Sequence, residues 1–201
     1  MSDQDRGKHA ALQAFESAGA FLRGHFVYTS GRHGADYLEK FRILEDPRAT
    51  MQLAAMVAGY FHSSGVQLVA GPTTGGIILA YEVARQLGVE TLYVERGERG
   101  GRVLRRGFMI SPGTRVLVVD DVVTTGGSVL ETQACIAEAG GLVVGIGVLA
   151  DRTAGRMETN VPFFACLSLD FPSYAPEECP LCAAGVPIAP PRGSGKKFAP
   201  V

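Results

Sequence analysis

"VLVVDDVVTTGGSV", residues 116–129, runs four apolar residues into Asp120 and Asp121 and then turns through Thr124, Thr125, Gly126, Gly127 and Ser128. The apolar run reads as a buried strand and the residues from about Gly127 as the start of a helix. Backbone N–H groups at a helix start are unpaired and carry the positive end of the helix dipole, which suits a phosphate dianion. Gly126 and Gly127 let the backbone come close, and Thr124, Thr125 and Ser128 add hydroxyl donors. The two carboxylates cannot serve the same phosphate, because they only accept hydrogen bonds and repel anions. They suit sugar hydroxyls, or a magnesium ion and its waters, so the expected ligand is a sugar phosphate. A plain strand-to-helix turn would leave two acids at a buried strand end without a reason.

Outward from this stretch the chain alternates. "VQLVAG", "ETLYVE", "RVLVVDD" and "LVVGIGVLADR" read as strands, and "GGIILAYEVARQLG" and "GSVLETQACIAEAGG" as helices ending in glycine. Continuous apolar strands alternating with helices of about 10–15 residues predict an α/β fold with a mainly parallel central sheet flanked by helices. In such sheets ligands bind at the carboxyl ends of the strands. Before this region, helical spacing of Leu12, Phe15, Ala18 and Leu22 predicts an amphipathic helix to about Leu22, and "GHFVYTSGRHGADYLEKFRIL" reads as short edge strands with a turn at Gly31. Asp46 followed by Pro47 is a helix start, opening a helix to about Ser63. The tail from Pro172, rich in proline, glycine and alanine, is expected to wrap the surface or fray. The expected organisation is a single domain, with an N-terminal helix and small hood over residues 1–45, a core over 46–170 and a tail over 171–201.

Nineteen basic residues nearly cancel twenty acidic ones in the 201-residue chain, so no global charge draws it to nucleic acid or an anionic membrane. The N-terminal segment carries charges throughout and no later apolar run approaches about 18 residues, which predicts a cytoplasmic protein. Cys135 and Cys166 sit in apolar surroundings and read as core. Cys179 and Cys182, in "CPLC", could hold half a zinc site or form a local disulfide, but zinc needs about four ligands and the sequence offers no second close pair. His25 and His33 read as ordinary surface or edge residues, and no metal-ligating residue is assigned. "GSGKK" lacks the upstream glycine and Ser/Thr of a P-loop, and "GIG" at 145–147 lacks the third glycine of a dinucleotide fingerprint.

Two acids, two apolar residues and then T-T-G-G-S resemble the phosphoribosyl pyrophosphate motif of the type I phosphoribosyltransferases. "SGRHGADYLEK", "GPTTGGI", "RRGF", "VLADRTAG" and "CPLC" together resemble the orotate phosphoribosyltransferases of bacteria over nearly the whole chain. The resemblance implies the type I phosphoribosyltransferase fold. It also implies transfer of a phosphoribosyl group from phosphoribosyl pyrophosphate to orotate, giving orotidine 5'-phosphate and pyrophosphate, with magnesium bound mainly through the pyrophosphate.

By that resemblance Asp120 and Asp121 bind the ribose hydroxyls and stabilise positive charge developing at the anomeric carbon. The loop through Val122, Val123, Thr124, Thr125, Gly126, Gly127 and Ser128 holds the 5-phosphate, with Thr124 also touching the base. Thr73, Thr74 and Gly75 in "GPTTGG" meet the leaving pyrophosphate. Arg152 pairs with the orotate carboxylate, which a guanidinium fork fits bidentately. Tyr37 falls where the family stacks aromatic rings on the pyrimidine. Residues 95–106, "ERGERGGRVLRR", read as a lid in which Arg96 and Arg99 are the catalytic cations, where the family carries lysines and a histidine. In the family the lid acts across the interface of a homodimer. Thr29 stands where the family often has a lysine, and Lys40 is expected to supply that charge. The rival readings are the same transfer to a purine base and a non-catalytic sensor of phosphoribosyl pyrophosphate.

Overall fold

A computed structural model describes residues 3–28 and 30–190. Thr29 and the tail beyond residue 190, including "GSGKK", lie outside the described residues. Helix α1 (Asp3–Ser17) precedes the strands β1 (Phe21–Val27) and β2 (His33–Leu38) and a four-residue helix α2 (Phe41–Leu44). Then follow α3 (Pro47–Phe61), β3 (Leu68–Pro72), α4 (Gly75–Leu87), β4 (Glu90–Arg96), β5 (Arg102–Val103), β6 (Arg115–Val123), α5 (Gly127–Glu138), β7 (Leu142–Asp151), β8 (Phe163–Ser168) and α6 (Pro180–Ala183).

Six strands form one sheet in the order β5-β4-β3-β6-β7-β8, parallel except for the short antiparallel pair β4–β5. The expected α/β architecture is therefore the observed one. Along β6 the side chains alternate between two cores. Leu117 and Val119 join residues of α1, α3 and α4 on one face, whereas Val116 and Val118 join Val129, Cys135 and Ile136 of α5 on the other. Both faces are covered, which explains the unbroken apolar character of the strand. Cys135 and Cys166 are buried, as their apolar neighbours predicted.

The glycines of "GIG" have a packing role. A Cβ on Gly145 would run into the Phe61 ring and one on Gly147 into Val57, so both keep α3 seated against β7. Asp46 caps α3, its Oδ1 accepting from Arg48 N at 2.9 Å and Ala49 N at 3.4 Å.

Helix α1 ends at Ser17 rather than near Leu22, because Gly19 turns the chain in the left-handed region (φ 64°) and Leu22 belongs to β1. Strands β1 and β2 pair antiparallel as a separate two-stranded hood, with Phe21 opposite Leu38 and Val27 opposite His33. The proline-rich segment after residue 172 docks on this hood: Tyr174 and His33 exchange backbone hydrogen bonds at 2.8 and 2.9 Å, and Ala189 N donates to His25 O at 2.7 Å.

Candidate functional site

The chain leaves β3 toward β4 on one side, while β6, β7 and β8 follow on the other. The β3–β6 junction is therefore where the order reverses, and an open sheet parts there at its carboxyl edge. The pairing of β3 with β6 stops at Ala70 opposite Val118, although β6 continues to Val123. Residues 73–76 and 124–128 flank the gap, each leading into a helix N-terminus, at α4 and at α5.

Asp120 and Asp121 sit at this end of β6 and are buried, with 6% and 1% exposure. Asp120 Oδ1 accepts from Asp121 N at 2.8 Å and Asp121 Oδ1 from Val122 N at 2.7 Å, which fixes both carboxylates. Burial first, and the Asp121 charge second, push the Asp120 carboxyl up to about 7. The Asp121 N–H, Lys40 and Ser128 act in the opposite direction. Lys40, just before α2, places Nζ 2.9 Å from each Asp121 oxygen. Lys40 pairs with Asp121 and not with Asp120, so the lysine neutralises one of the two buried acids and leaves the other raised.

Gly75 explains why the loop after β3 lies so close to β6: a Cβ there would collide with the Asp121 carboxylate. Thr73 and Thr74 precede it, joined by a cis peptide bond. Across the gap, Gly126 has φ 83° and caps α5, while Thr124, Thr125 and Gly127 are exposed and Ser128 is half-buried. Val122 is half-buried and Val123 buried, so their backbone rather than their side chains lines the loop.

Arg102 of β5 bridges the two loops. Its Nη1 donates to Thr73 Oγ1 at 3.3 Å, its Nη2 donates to Ser128 Oγ at 2.7 Å, and Nε stands 3.7 Å from Glu131 Oε2. Arg96 and Arg99, the cations singled out from the sequence, are exposed on the same hairpin, where Arg96 lies opposite Arg102 in the β4–β5 pairing. Arg105 and Arg106 face Glu98 and Glu95 at 3.5 and 2.9 Å. Among the five arginines of the segment, Arg102 stands apart in sequence, with two glycines before it and two apolar residues after it. Its place between the two loops comes from the β4–β5 pairing and not from that pattern.

Arg152 follows β7, and its N–H donates to Val123 O at 2.8 Å, which sets it beside the end of β6. Its guanidinium lies between the rings of Tyr28 and Phe171, 5.3 and 4.9 Å from their centroids. Burial lowers its pKa, and its buried Nε has no hydrogen-bond partner among the described residues. The neighbouring Asp151 does not pair with it, since Asp151 Oδ1 accepts from Thr153 N at 2.7 Å. Arg152 is thus a half-buried cation against two aromatic rings with no carboxylate paired to it among the described residues, an arrangement suited to a planar anion. Tyr37 packs on Phe26, ring centroids 5.3 Å apart, and its phenol lies within electrostatic reach of Arg152. Tyr28 and Phe171 were not visible as site residues because they come from the hood and from the segment after β8, far apart in sequence.

His25 and His33 are not surface residues. They are 2% and 7% exposed and stand with Cys179 and Cys182, the half site that the sequence left open.

The profile of the phosphoribosyl transferase domain matches residues 42–178. The chain is 48% identical to the orotate phosphoribosyltransferase of Pelotomaculum thermopropionicum over 90% of its own length and 95% of that protein. It is 45% identical to the orotate phosphoribosyltransferase of Caldanaerobacter subterraneus subsp. tengcongensis, covering 94% and 98% of the two chains. Its structure resembles the crystal structure of orotate phosphoribosyltransferase from Aeropyrum pernix with a TM-score of 0.65 and 30% identity, over 78% of this chain and 92% of the other.

Proposed function

The chain belongs to the orotate phosphoribosyltransferases, and from that premise we propose how its residues divide the work of transferring a phosphoribosyl group from phosphoribosyl pyrophosphate to orotate in pyrimidine biosynthesis. The observation that carries the substrate reading is Arg152, a half-buried guanidinium between Tyr28 and Phe171 with no acid paired to it among the described residues. Orotate brings a planar ring and a carboxylate, which together fit a cation held between aromatic faces.

The 5-phosphate lies on residues 124–128, where the N-terminal N–H groups of α5 and the hydroxyls of Thr124, Thr125 and Ser128 converge. Asp120 and Asp121 accept from the ribose hydroxyls. As pyrophosphate departs, the anomeric carbon gains positive charge, and two fixed carboxylates in a water-poor gap stabilise it without reorganising. Thr73, Thr74 and Gly75 receive the leaving group, and Arg102, already bridging Thr73 and Ser128, supplies the cation between the two phosphate loops. Arg96 and Arg99 contribute when the hairpin closes, in the manner expected of a lid. At neutral pH the charge of orotate sits on its carboxylate, which Arg152 aligns, and as N1 bonds to the anomeric carbon its proton passes to the departing pyrophosphate or to solvent.

The acceptor oxygens of Asp120 and Asp121 fit the waters of a hydrated magnesium ion, which would be held mainly by the pyrophosphate and would be positioned by these two residues. When bound, magnesium neutralises pyrophosphate charge and improves it as a leaving group.

We read the protein as a cytoplasmic homodimer. Free, unpaired cysteines suit a reducing compartment, and no helix among the described residues is long and apolar enough to cross a membrane. Exposed Met51 of α3 and Ile78 and Tyr81 of α4 supply an apolar surface for a second copy, close to the loop that begins α4.

The test is loss of orotate absorbance on mixing protein, phosphoribosyl pyrophosphate and magnesium, with adenine, hypoxanthine and uracil in parallel. Turnover of orotate alone, lost in Arg152→Ala, is the expected result. Turnover of a purine would overturn the base assignment, and tight binding of phosphoribosyl pyrophosphate with no turnover of any base would make the protein a sensor.

A further inference from the structure

We propose that His25, His33, Cys179 and Cys182 form a tetrahedral zinc site that clamps the segment after β8 onto the hood hairpin. Each residue offers one ligand atom, and these four atoms all lie within 4.8 Å of one another. His25 Nε2 stands 3.6 Å from Cys179 Sγ and 3.6 Å from Cys182 Sγ, and Cys182 Sγ lies 3.3 Å from His33 Nδ1. A tetrahedral zinc ion, with bonds of about 2.05 Å to nitrogen and about 2.3 Å to sulfur, sets nitrogen and sulfur roughly 3.5 Å apart. The two ring nitrogens are 2.9 Å apart. They need to separate by about 0.4 Å to reach the nitrogen–nitrogen spacing of the same geometry.

The outer hydrogen bond supports the assignment. His25 Nδ1 is 2.7 Å from Val186 O, and a carbonyl only accepts, so Nδ1 carries the proton and Nε2 turns its lone pair toward His33 and the two sulfurs. A histidine oriented by a carbonyl behind it, with its free nitrogen facing thiols, is the arrangement that a metal-binding imidazole adopts. A hydrogen bond between the two rings uses one pair of groups and gives no reason for two thiols to converge on the same point. Charge also balances, since one zinc dication and two thiolates sum to zero beside neutral imidazoles, which suits a site with three buried members. Binding exchanges the two thiol protons for the ion.

The ligands come from two remote pieces of chain. His25 and His33 lie on paired strands, and Cys179 and Cys182 bracket the start of α6. The ion closes a long loop and holds the hood that carries Tyr28, Tyr37 and Lys40. None of its four ligands is among the residues assigned to the substrates, so the inference does not depend on which base is used.

The experiment is a cobalt(II) titration of the reduced, metal-stripped full chain, together with zinc analysis of protein purified from zinc-supplemented cells. The expected results are one zinc per chain, one-to-one cobalt uptake with tetrahedral visible bands and thiolate charge-transfer absorption, and displacement by one equivalent of zinc. Cys182→Ser changes the exposed member, and it should weaken the charge-transfer band and lower cobalt affinity at least tenfold. Chelation should lower the thermal midpoint of the wild type and leave that of Cys182→Ser nearly unmoved. Absence of tetrahedral cobalt bands in the wild-type protein, or a spectrum and affinity unchanged in Cys182→Ser, would overturn the proposal.

Discussion

Lys40 Nζ stands 2.9 Å from both carboxylate oxygens of Asp121, so a residue at the end of the hood closes onto the terminus of the central strand. The lysine side chain is 39% exposed and the aspartate 2%. Lys40→Met would strip a buried carboxylate of its cation, although solvent on the lysine side screens part of the effect. Equilibrium urea unfolding should show a loss of about 1–2 kcal/mol. The acidic limb of the pH–rate profile should also move toward higher pH, and an unmoved limb would deny Lys40 a role in keeping Asp120 ionised.

The raised Asp120 carboxyl makes stability depend on pH in a defined direction. Its ordinary value is 3.8 and burial beside Asp121 lifts it to about 7. Between these values the folded protein holds a proton that the unfolded chain has released, so this group's contribution to stability falls as pH rises through the window. Thermal midpoints of the ligand-free protein between pH 4 and 7 should carry this downward component, and Asp120→Asn should remove it. Affinity for phosphoribosyl pyrophosphate should move the other way, rising with pH as Asp120 ionises. Identical pH slopes in wild type and variant would show that Asp120 titrates elsewhere.

Arg102 donates to both Thr73 and Ser128, so its loss should be felt by both phosphate groups. Hydrogen bonds to charged partners contribute about 1.5–3 kcal/mol, which sets the cost of Arg102→Ala at roughly 10- to 100-fold in kcat/KM for phosphoribosyl pyrophosphate. Arg96→Ala and Arg99→Ala, at exposed positions, should cost less in the ground-state binding constant. Calorimetric titration of the three variants ranks them, and equal losses would assign the anion contact to the whole hairpin.

Arg152→Lys keeps the charge but loses the planar fork between Tyr28 and Phe171. Orotate KM should rise by about tenfold in this variant and roughly 100-fold in Arg152→Ala, with the dissociation constant for phosphoribosyl pyrophosphate within about twofold of wild type. Steady-state kinetics with each substrate varied in turn separates the two effects.

Gly145→Ala would push a methyl group into the Phe61 ring, where α3 rests on β7. Overpacking of this kind costs about 1–3 kcal/mol, and Phe61→Leu should restore part of it by making room. Urea unfolding of the single and double variants gives the coupling directly.

The sequence by itself determined the α/β sheet and the turn that leads from β6 into α5. Both rest on local physics: a strand buried on both faces must be apolar, and Gly126, Gly127 and their hydroxyl neighbours serve the helix start that follows them. Asp120 and Asp121 were legible for the same reason, since two acids ending an apolar run have few other uses.

Tertiary structure alone decided which cation reaches the gap, what flanks Arg152 and where the cysteines face. Arg102 reaches Thr73 and Ser128 from β5, on the strand opposite Arg96, and that placement is a contact between strands and not a property of either. Tyr28 and Phe171 meet over Arg152 although about 140 residues separate them, and His25 and His33 face Cys179 and Cys182 across a similar distance in sequence. Local spacing reports helices, strands and turns because their hydrogen bonds join near neighbours. Contacts closed over long loops depend on how whole elements pack, and one-dimensional spacing holds no record of them.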